Sequence, residues 1–404
     1  MTAIVGVLNK HAVALAADSA VTIGGGRKIL NSANKIYALS KYHPVAVAIY
    51  GNAEFVGTPW EIIIKEFRKK IGNKPSSKLI DYPSQFFKFL SENHHFCCEQ
   101  ESLQVLKDNL SSFYSFVLER GNNNSESIKN VLLEFEMRPS TPFLHSFTKD
   151  HILYLEKKLN KELNDICNEL LNLGVQMERE RIFNVLISVL TNNLPPTLSG
   201  LVFVGYGEKE YFPVLCHYKV GNLINDTLAL LPPETVVINK QNPSAICPFA
   251  QTDVMRTILE GVSPEMQEIF KNSLTSTFNQ IITNLADLID KNGDVVLADK
   301  IRKIDIVPFQ RAFYRYSSQA QRTLCTTPFV QSVISLEKED LADFAESLIT
   351  LTSLKRKVSM DQETVGGPVD VMVISKGDGI IWMKRKHYFD AEKNHMFFNN
   401  YFNQ

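Results

Sequence analysis

The sequence contains no apolar run long enough to cross a lipid bilayer, and its first residues lack the basic and apolar regions of a signal peptide. It also lacks a net charge that would attract an anionic partner. The 43 lysines and arginines are balanced by 44 aspartates and glutamates, which leaves a net charge of −1. We therefore expect a cytoplasmic protein that binds neither membrane nor nucleic acid.

Cysteine is sparse, and its spacing excludes a disulfide framework. The cysteines are scattered through the chain, which is typical of reduced and mostly buried thiols: Cys97, Cys98, Cys167, Cys216, Cys247 and Cys325. Two of them follow His94 and His95, but neighbouring ligands on one helix point in different directions and no second cluster is near in sequence. Since the glycine run 24–26 also lacks the spacing of a phosphate-binding loop, we expect neither a metal nor a cofactor.

The composition supplies ample material for a core, because 44% of the 404 residues are hydrophobic and 22% are charged. Residues Ala3–Leu8 and Ala12–Ala17 are small or β-branched and are separated by a turn, which predicts a β-hairpin. Lys35–Leu39 and Pro44–Gly51 read as two further strands, the second apolar enough to be buried on both faces. From this pattern the first sixty residues are interpreted as one sheet.

The period changes after Trp60, where apolar residues recur at helical spacing to about Leu194. In this block Trp60–Ile71 and His151–Leu173 are among the segments that show this helical spacing. Strands return over Leu198–Gly207 and Glu210–Gly221, and helices are predicted over about Asp253–Asn292 and Leu336–Leu354. The chain closes with two alternating segments joined by Gly377-Asp378-Gly379, a hairpin signal.

Three residues near the start have the chemistry of an N-terminal nucleophile. Removal of Met1 would leave Thr2 with a free α-amine beside its own hydroxyl, so that nucleophile and base share one residue. The unperturbed pKa of an α-amine, roughly 7.7–8.0, suits proton transfer near neutral pH. Asp18 ends the second predicted strand and Lys35 begins the third, so a folded sheet would bring both beside Thr2. A lysine there would keep the amine neutral, and an aspartate would hold the lysine.

The first 22 residues, TAIVGVLNKHAVALAADSAVT after Met1, resemble the start of mature proteasome β-subunits and of bacterial HslV-type peptidases. The interval from Thr2 to Asp18 is the one this family keeps between its nucleophile and its aspartate, and NKIYAL places the family's lysine on Lys35 rather than Lys28. Later segments, LVFVGYGEKEYFPVLCHY and TVGGPVDVMVISKGDGIIWMKRKHYF, are similar to two further hairpins of the family.

The resemblance implies an α+β chain with the αββα four-layer sandwich of N-terminal-nucleophile hydrolases. It implies a single domain over 1–404, with a sheet core at about 1–60, 196–250 and 362–390 and helical insertions at about 60–195 and 265–350. We expect strands in two stacked sheets at Ala3–Leu8, Ala12–Ala17, Pro44–Tyr50, Leu201–Gly205 and Val369–Ile374.

The resemblance further implies a threonine-type peptidase that forms an acyl-enzyme on Thr2, with Asp18 and Lys35 as its catalytic partners. Thr22 would present backbone to an extended peptide, and the amide of Gly51 would form the oxyanion hole. The expected partners are a peptide or protein substrate and further copies of the chain in a homo-oligomer, which need not be a closed ring. A regulatory unfoldase is not identified by the sequence.

The sequence also departs from the family pattern. A Gly-Ser-Gly motif is replaced by Cys247–Asp253, and Val365 stands where the family has a serine before two glycines. Asp361 or Glu363 would supply a later acid and Thr364 or Thr252 a hydroxyl, with the register between them open. Two alternatives therefore stay open, an amidase acting on a small non-peptide amide and a catalytically silent subunit that serves assembly or binding.

Overall fold

The computed structural model describes residues 2–23, 28–93, 95–96, 98–191, 198–359, 365–387 and 389–396. Within these ranges the chain is an α+β protein with antiparallel sheets. Each of the described helices is too short or too polar to cross a membrane.

The strands, in chain order, are β1 (Ala3–Asn9), β2 (Val13–Ala17), β3 (Val21–Ile23), β4 (Lys28–Leu30), β5 (Ile36–Ala38), β6 (Val45–Gly51), β7 (Glu54–Phe55), β8 (Thr58–Pro59), β9 (Ser199–Gly205), β10 (Val214–Ile224), β11 (Thr227–Leu230), β12 (Glu234–Val237), β13 (Ser244–Ala250), β14 (Asp370–Ser375) and β15 (Gly379–Lys384). The helices are α1 (Trp60–Ile71), α2 (Asp81–Glu92), α3 (Glu99–Arg120), α4 (Ser125–Glu136), α5 (Lys149–Lys158), α6 (Asn160–Asn172), α7 (Arg179–Thr191), α8 (Asp253–Glu260), α9 (Pro264–Lys291), α10 (Val295–Arg302), α11 (Val307–Gln321), α12 (Thr327–Val333) and α13 (Lys338–Val358), with a π-helical turn at Arg322–Thr326.

Two sheets carry most of the strands. The first sheet has the order β13-β1-β2-β14-β15, and the second has the order β11-β10-β9-β6-β5 with β12 also paired to β10. Every residue of β1 and β2 is buried, as expected for strands covered on both faces. The N-terminal hairpin therefore lies at the centre of the first sheet.

Three apolar clusters surround these sheets. Side chains of β1 and β2 meet those of β6 and β9 in a cluster between the two sheets, with Ile4, Leu15 and Val202 among its fully buried members. The other face of the first sheet packs against α8, α12 and α13, and the other face of the second sheet packs against α1 and α2. The helices α3 to α7 share a further cluster of their own.

The five predicted strand segments are confirmed as strands, with ends that differ by one or two residues. The assignment of the first sixty residues to one sheet is wrong, because β1 and β2 belong to the first sheet whereas β5 and β6 belong to the second. Apolar patterns record that a strand is buried on both faces but not which strands it pairs with.

Trp60–Ile71 is confirmed as helical and forms one helix, whereas the helical segments His151–Leu173 and Asp253–Asn292 each contain two. His151–Leu173 is interrupted at Leu159, between α5 and α6. Asp253–Asn292 is interrupted at Gly261, whose φ of 73° ends α8, and Ser263 then caps α9 with Pro264 at its first position. The predicted strand over Glu210–Gly221 starts only at Val214, after Pro213.

The side chain of Asn9 forms hydrogen bonds between the N-terminal hairpin and the helical segment that covers it. Its side chain is fully buried and uses both ends of the amide. The Nδ2 group donates to the carbonyls of Val333 (2.9 Å) and Leu336 (2.8 Å), while Oδ1 accepts from the backbone N–H groups of His11 (2.9 Å) and Ala12 (3.1 Å). An acceptor and a donor are therefore both required at this position.

Asn9→Asp should destabilise the fold by about 3 kcal/mol, because a buried carboxylate would face two carbonyl oxygens in place of the NH2 group. The free energy of unfolding from urea denaturation measures this loss. Asn124→Asp is the matched control, since Oδ1 of Asn124 only accepts, from Glu126 N and Ser127 N, and an aspartate can do the same. Equal stability of the two variants would contradict the role given to Asn9.

Candidate active site

The carboxylate of Asp18 lies directly after β2 and is 1% exposed. Its Oδ1 accepts from the backbone N–H of Ala3 at 2.9 Å and from Nζ of Lys35 at 2.6 Å. Its Oδ2 accepts from the N–H groups of Ala20 at 3.1 Å and Gly366 at 3.2 Å. These four donors compensate for the removal of the charge from water.

Lys35 directly precedes β5 and is 3% exposed. Its ammonium donates to Asp18 Oδ1 and, at 2.6 Å, to the carbonyl of Ala20. Burial lowers the pKa of Lys35 from its ordinary value, and the charge of Asp18 acts in the opposite direction. The carbonyl of Lys35 accepts from Ile49 N–H at 2.9 Å, which ties the residue to β6 of the second sheet.

Thr2 directly precedes β1 and is 8% exposed. Its carbonyl accepts from the N–H of Gln251 at 3.0 Å, one residue beyond the end of β13. The next amide along the chain, that of Ala3, donates to the same Asp18 oxygen that holds the Lys35 ammonium. One oxygen of Asp18 therefore links the Lys35 ammonium to the peptide group that joins Thr2 to Ala3.

Gly51 ends β6 in a backbone conformation that requires glycine. Its φ is +82°, and a Cβ atom would lie 2.1 Å from the carbonyl oxygen of Leu198. The N–H of Ile49 donates to the carbonyl of Lys35, the residue before β5. Gly51 thus lies two residues beyond the position on β6 that bonds to Lys35.

Tyr50, the neighbour of Gly51, belongs to a hydrogen-bonded row of polar side chains that the sequence does not reveal. Its hydroxyl is 2.7 Å from Nε2 of His217, whose Nδ1 is 3.4 Å from Glu234. Burial lowers the pKa of His217 and raises that of Tyr50 to about 12. A Cβ atom on Gly200 would lie 2.1 Å from the Tyr50 ring, so this glycine lets the ring lie flat across β9. These contacts hold Tyr50, and with it the end of β6, against β10 and β12.

Thr22 and Lys28 lie on the short β3–β4 hairpin that follows Asp18. In its register Thr22 is opposite Ile29, and Lys28 is opposite Ile23. The cation that pairs with Asp18 in the described structure is Lys35.

The later residues of the expected relay are only partly located. Asp361, Glu363 and Thr364 lie outside the described residues. Thr252 is at the start of α8, immediately after the residue that bonds to Thr2. Val365 is fully buried among apolar side chains against the first sheet.

The segment 366–370 contributes contacts that sequence reasoning missed. Besides the N–H of Gly366 on Asp18, the carbonyls of Gly366 and Pro368 accept from the backbone N–H (3.0 Å) and the hydroxyl of Ser19. The pairing of β14 with β2 places Asp370 opposite Ala17 and brings this segment to the site. The two adjacent glycines at 366–367 are visible in the sequence, but the sequence does not indicate that Gly366 bonds to Asp18 and Ser19.

A second buried ion pair lies nearby, between Asp370 and Lys386. The N–H of Lys386 also donates to Asp370 Oδ1 at 2.9 Å. The charge of Lys386 lowers the pKa of Lys35 and that of Asp370 raises it, both less strongly than burial does. Beside this pair is a cavity of about 410 Å³ between β5 and β15, bordered by Tyr37 and Trp382.

No cluster of three or more histidine, cysteine, aspartate or glutamate side chains in the described ranges has the geometry of a metal site. The groups that hydrogen bonds bring together next to Thr2 are the buried Asp18 carboxylate and the buried Lys35 ammonium. A lysine and a carboxylate beside a threonine that carries a free α-amine can stabilise an alkoxide.

No protein-family model matches the chain, and no curated protein matches it. Solved structures of Anbu proteins are similar over nearly the full length of both chains. The Gly-1 mutant of Anbu from Hyphomicrobium sp. strain MC1 has 8% identity and a TM-score of 0.32, covering 100% of this chain and 97% of that one. Anbu from Yersinia bercovieri, described as an ancestral β-subunit, has 9% identity and a TM-score of 0.30, covering 99% and 95%. The Anbu complex from Pseudomonas aeruginosa, a helical assembly, has 8% identity and a TM-score of 0.28, covering 99% and 93%. TM-scores of this size do not by themselves establish a common fold.

Asp18→Ala should cost more stability than Lys35→Met. The first change leaves an ammonium buried and three backbone N–H groups without their acceptor, at about 4 kcal/mol. The second leaves a carboxylate that still accepts from Ala3, Ala20 and Gly366, so we expect about 2 kcal/mol. Urea denaturation of both single variants and the double variant measures the difference and the coupling. Equal losses would contradict this account of the pair.

Proposed function

We propose that the protein is an N-terminal-nucleophile hydrolase that cleaves amide bonds through an acyl-enzyme on Thr2. The observation that carries the proposal is the Asp18 carboxylate, which holds the Lys35 ammonium and the amide adjoining Thr2 on one oxygen. In this proposal the two sheets and their covering helices form an αββα four-layer sandwich related to proteasome β-subunits, enlarged by the helices α3 to α7 and α9 to α11.

The first half of the reaction starts once Met1 has been removed. The α-amine of Thr2 accepts the hydroxyl proton while Oγ attacks the carbonyl carbon of the substrate amide. The oxygen of the tetrahedral intermediate accepts from the N–H of Gly51. As the C–N bond breaks, the α-ammonium returns its proton to the leaving amine and the acyl group stays on Oγ.

The second half repeats these transfers with water. The free α-amine takes a proton from a water molecule, whose oxygen attacks the acyl carbon, and Oγ recovers that proton as the acid product leaves. The positive charge of Lys35 keeps the α-amine neutral and lowers the free energy of the developing alkoxide, and Asp18 positions Lys35. Asp18 and Lys35 thus act on Thr2 through charge and position.

Peptide bonds are the substrate class that we favour. The resemblance of the first strands to proteasome β-subunits supports it, and in that arrangement the backbones of Thr22 and Gly51 flank an extended peptide. A silent subunit is the alternative, favoured by the segment Cys247–Asp253, which replaces the Gly-Ser-Gly motif of the family. The retained trio of Thr2, Asp18 and Lys35 argues for activity.

Activity should depend on the removal of Met1, since the nitrogen of Thr2 is otherwise an amide and cannot act as a base near neutral pH. N-terminal sequencing of the active protein should find threonine first. Thr2→Ser should keep part of the amidase activity because hydroxyl and amine remain, whereas Thr2→Ala should lose several orders of magnitude in kcat. Peptide hydrolysis by a folded protein that retains Met1, or by Thr2→Ala, would show that the reaction occurs elsewhere.

Lys35→Ala should abolish turnover, whereas Lys28→Ala on the neighbouring hairpin should change it little. Both variants are assayed under conditions where circular dichroism shows them folded, because loss of a buried ion pair also lowers stability. The reverse pattern of activities would assign the catalytic lysine to position 28.

A further inference from the structure

The segment between Gly261 and Cys325 is mostly helical, and its two ends lie next to each other. We call α9, α10 and α11 the helical arm. At its base a Cβ atom on Gly261 would lie 2.7 Å from Sγ of Cys325, and the hydroxyl of Thr326 donates to the carbonyl of Leu259 at 3.1 Å. With 28 residues in α9, the arm is about 40 Å long.

The arm folds back on itself as a helical hairpin. Nε2 of Gln310 on α11 donates to the hydroxyl of Thr275 on α9 at 2.7 Å, and the rings of Phe278 and Phe309 are 6.1 Å apart. At the far end Arg302 pairs with Asp287 and Asp290. These contacts set α9 and α11 side by side and antiparallel.

This hairpin buries almost nothing within the chain itself. Ala286 is the only buried residue in α9, and α11 has none. Helices of this kind gain most of their stability from tertiary packing of an apolar face. Such a face is present and uncovered in the following residues, each 40–75% exposed: Met266, Ile269, Phe270, Ile281, Leu285, Leu288, Val295, Val296, Leu297, Ile304, Val307, Phe309, Phe313, Tyr316 and Leu324.

The exposed apolar area is of the size that a stable interface needs. Summed over these side chains it is roughly 1,500 Å², compared with about 800 Å² buried by each partner in a standard interface. Exposed apolar area of this extent on one part of a folded protein favours an interaction site. An apolar character of this degree is typical of contacts between copies of one chain.

The charges on the two helices complement each other. Glu265 and Glu268 flank the exposed apolar residues at the start of α9, whereas Arg311 and Arg315 flank those of α11. All four are exposed, and none forms an ion pair with another described residue. The start of α9 thus carries exposed apolar and acidic side chains, and α11 carries exposed apolar and basic ones.

We infer that the helical arm docks onto the arm of a second copy of this chain, with the start of α9 in one copy against α11 in the other. A two-fold axis would form each such contact twice, because an isologous interface pairs each residue with its counterpart in both directions. The interface extends beyond the proposed function, since it involves neither Thr2 nor its partners. It can therefore be tested in the Thr2→Ala variant.

Multi-angle light scattering at micromolar concentration should show the unmodified chain as a dimer or a larger oligomer. Phe313→Glu should shift it to smaller species by placing a charge in the apolar contact. Leu153→Glu is the matched control, since Leu153 is 60% exposed on α5, away from the arm, and this variant should associate normally.

A charge exchange tests the proposed pairing and is independent of any loss of folding. Glu268→Arg and Arg315→Glu should each weaken association by at least tenfold in Kd, and the double variant should regain it because the opposite charges again meet. A monomeric unmodified chain would overturn the inference, as would association that Phe313→Glu leaves unchanged. Failure of the double variant to regain association would overturn the pairing of α9 with α11.

Discussion

The buried ion pair between Asp18 and Lys35 is the interaction on which the site depends, because it joins the two sheets where their strands begin and end. Asp18 follows β2 of the first sheet, and Lys35 precedes β5 of the second. A pair removed from water in this way is tolerated only when its remaining hydrogen-bonding capacity is satisfied. The remaining hydrogen bonds of the pair are all to backbone groups. Asp18 accepts from the N–H groups of Ala3, Ala20 and Gly366, and Lys35 donates to the carbonyl of Ala20.

The same contacts that stabilise the pair also position the proposed nucleophile. The N–H of Ala3 can reach Asp18 only when β1 lies in register with β2, and that register fixes Thr2 one residue further on. On its other side Thr2 is held by Gln251, which continues β13. Stability and chemistry therefore rest on one arrangement, and a change to Asp18 affects both.

The parts of the structure that the sequence predicts are those set by local pattern. Trp60–Ile71 shows a clear helical period and is one helix with those ends, and the hairpin of β1 and β2 follows from its small and β-branched residues. The ground for preferring Lys35 to Lys28, that only Lys35 is followed by a strand, is wrong, because Lys28 is the first residue of β4. The break at Leu159 has no glycine or proline to mark it, whereas the break after α8 coincides with Gly261, Ser263 and Pro264.

The parts that could not be predicted depend on residues far apart in the chain. The division of β2 and β5 between two sheets needs the positions of β14 and β9. β9 begins about 160 residues after β5, and β14 about 350 residues after β2. The donor on Gly366 and the pair Asp370–Lys386 reach the site only through β14. A backbone N–H also has no signature in the sequence, since nearly every residue carries one.

The most direct test of the central claim is the intact mass of the purified protein after treatment with a threonine-directed electrophile such as a peptide epoxyketone. Because the reagent needs both a hydroxyl and a free α-amine on one residue, we predict a protein without Met1 that gains one reagent mass, and no gain in Thr2→Ala. An unmodified mass in protein that begins at Thr2, or equal labelling of Thr2→Ala, would contradict the assignment of Thr2 as the nucleophile.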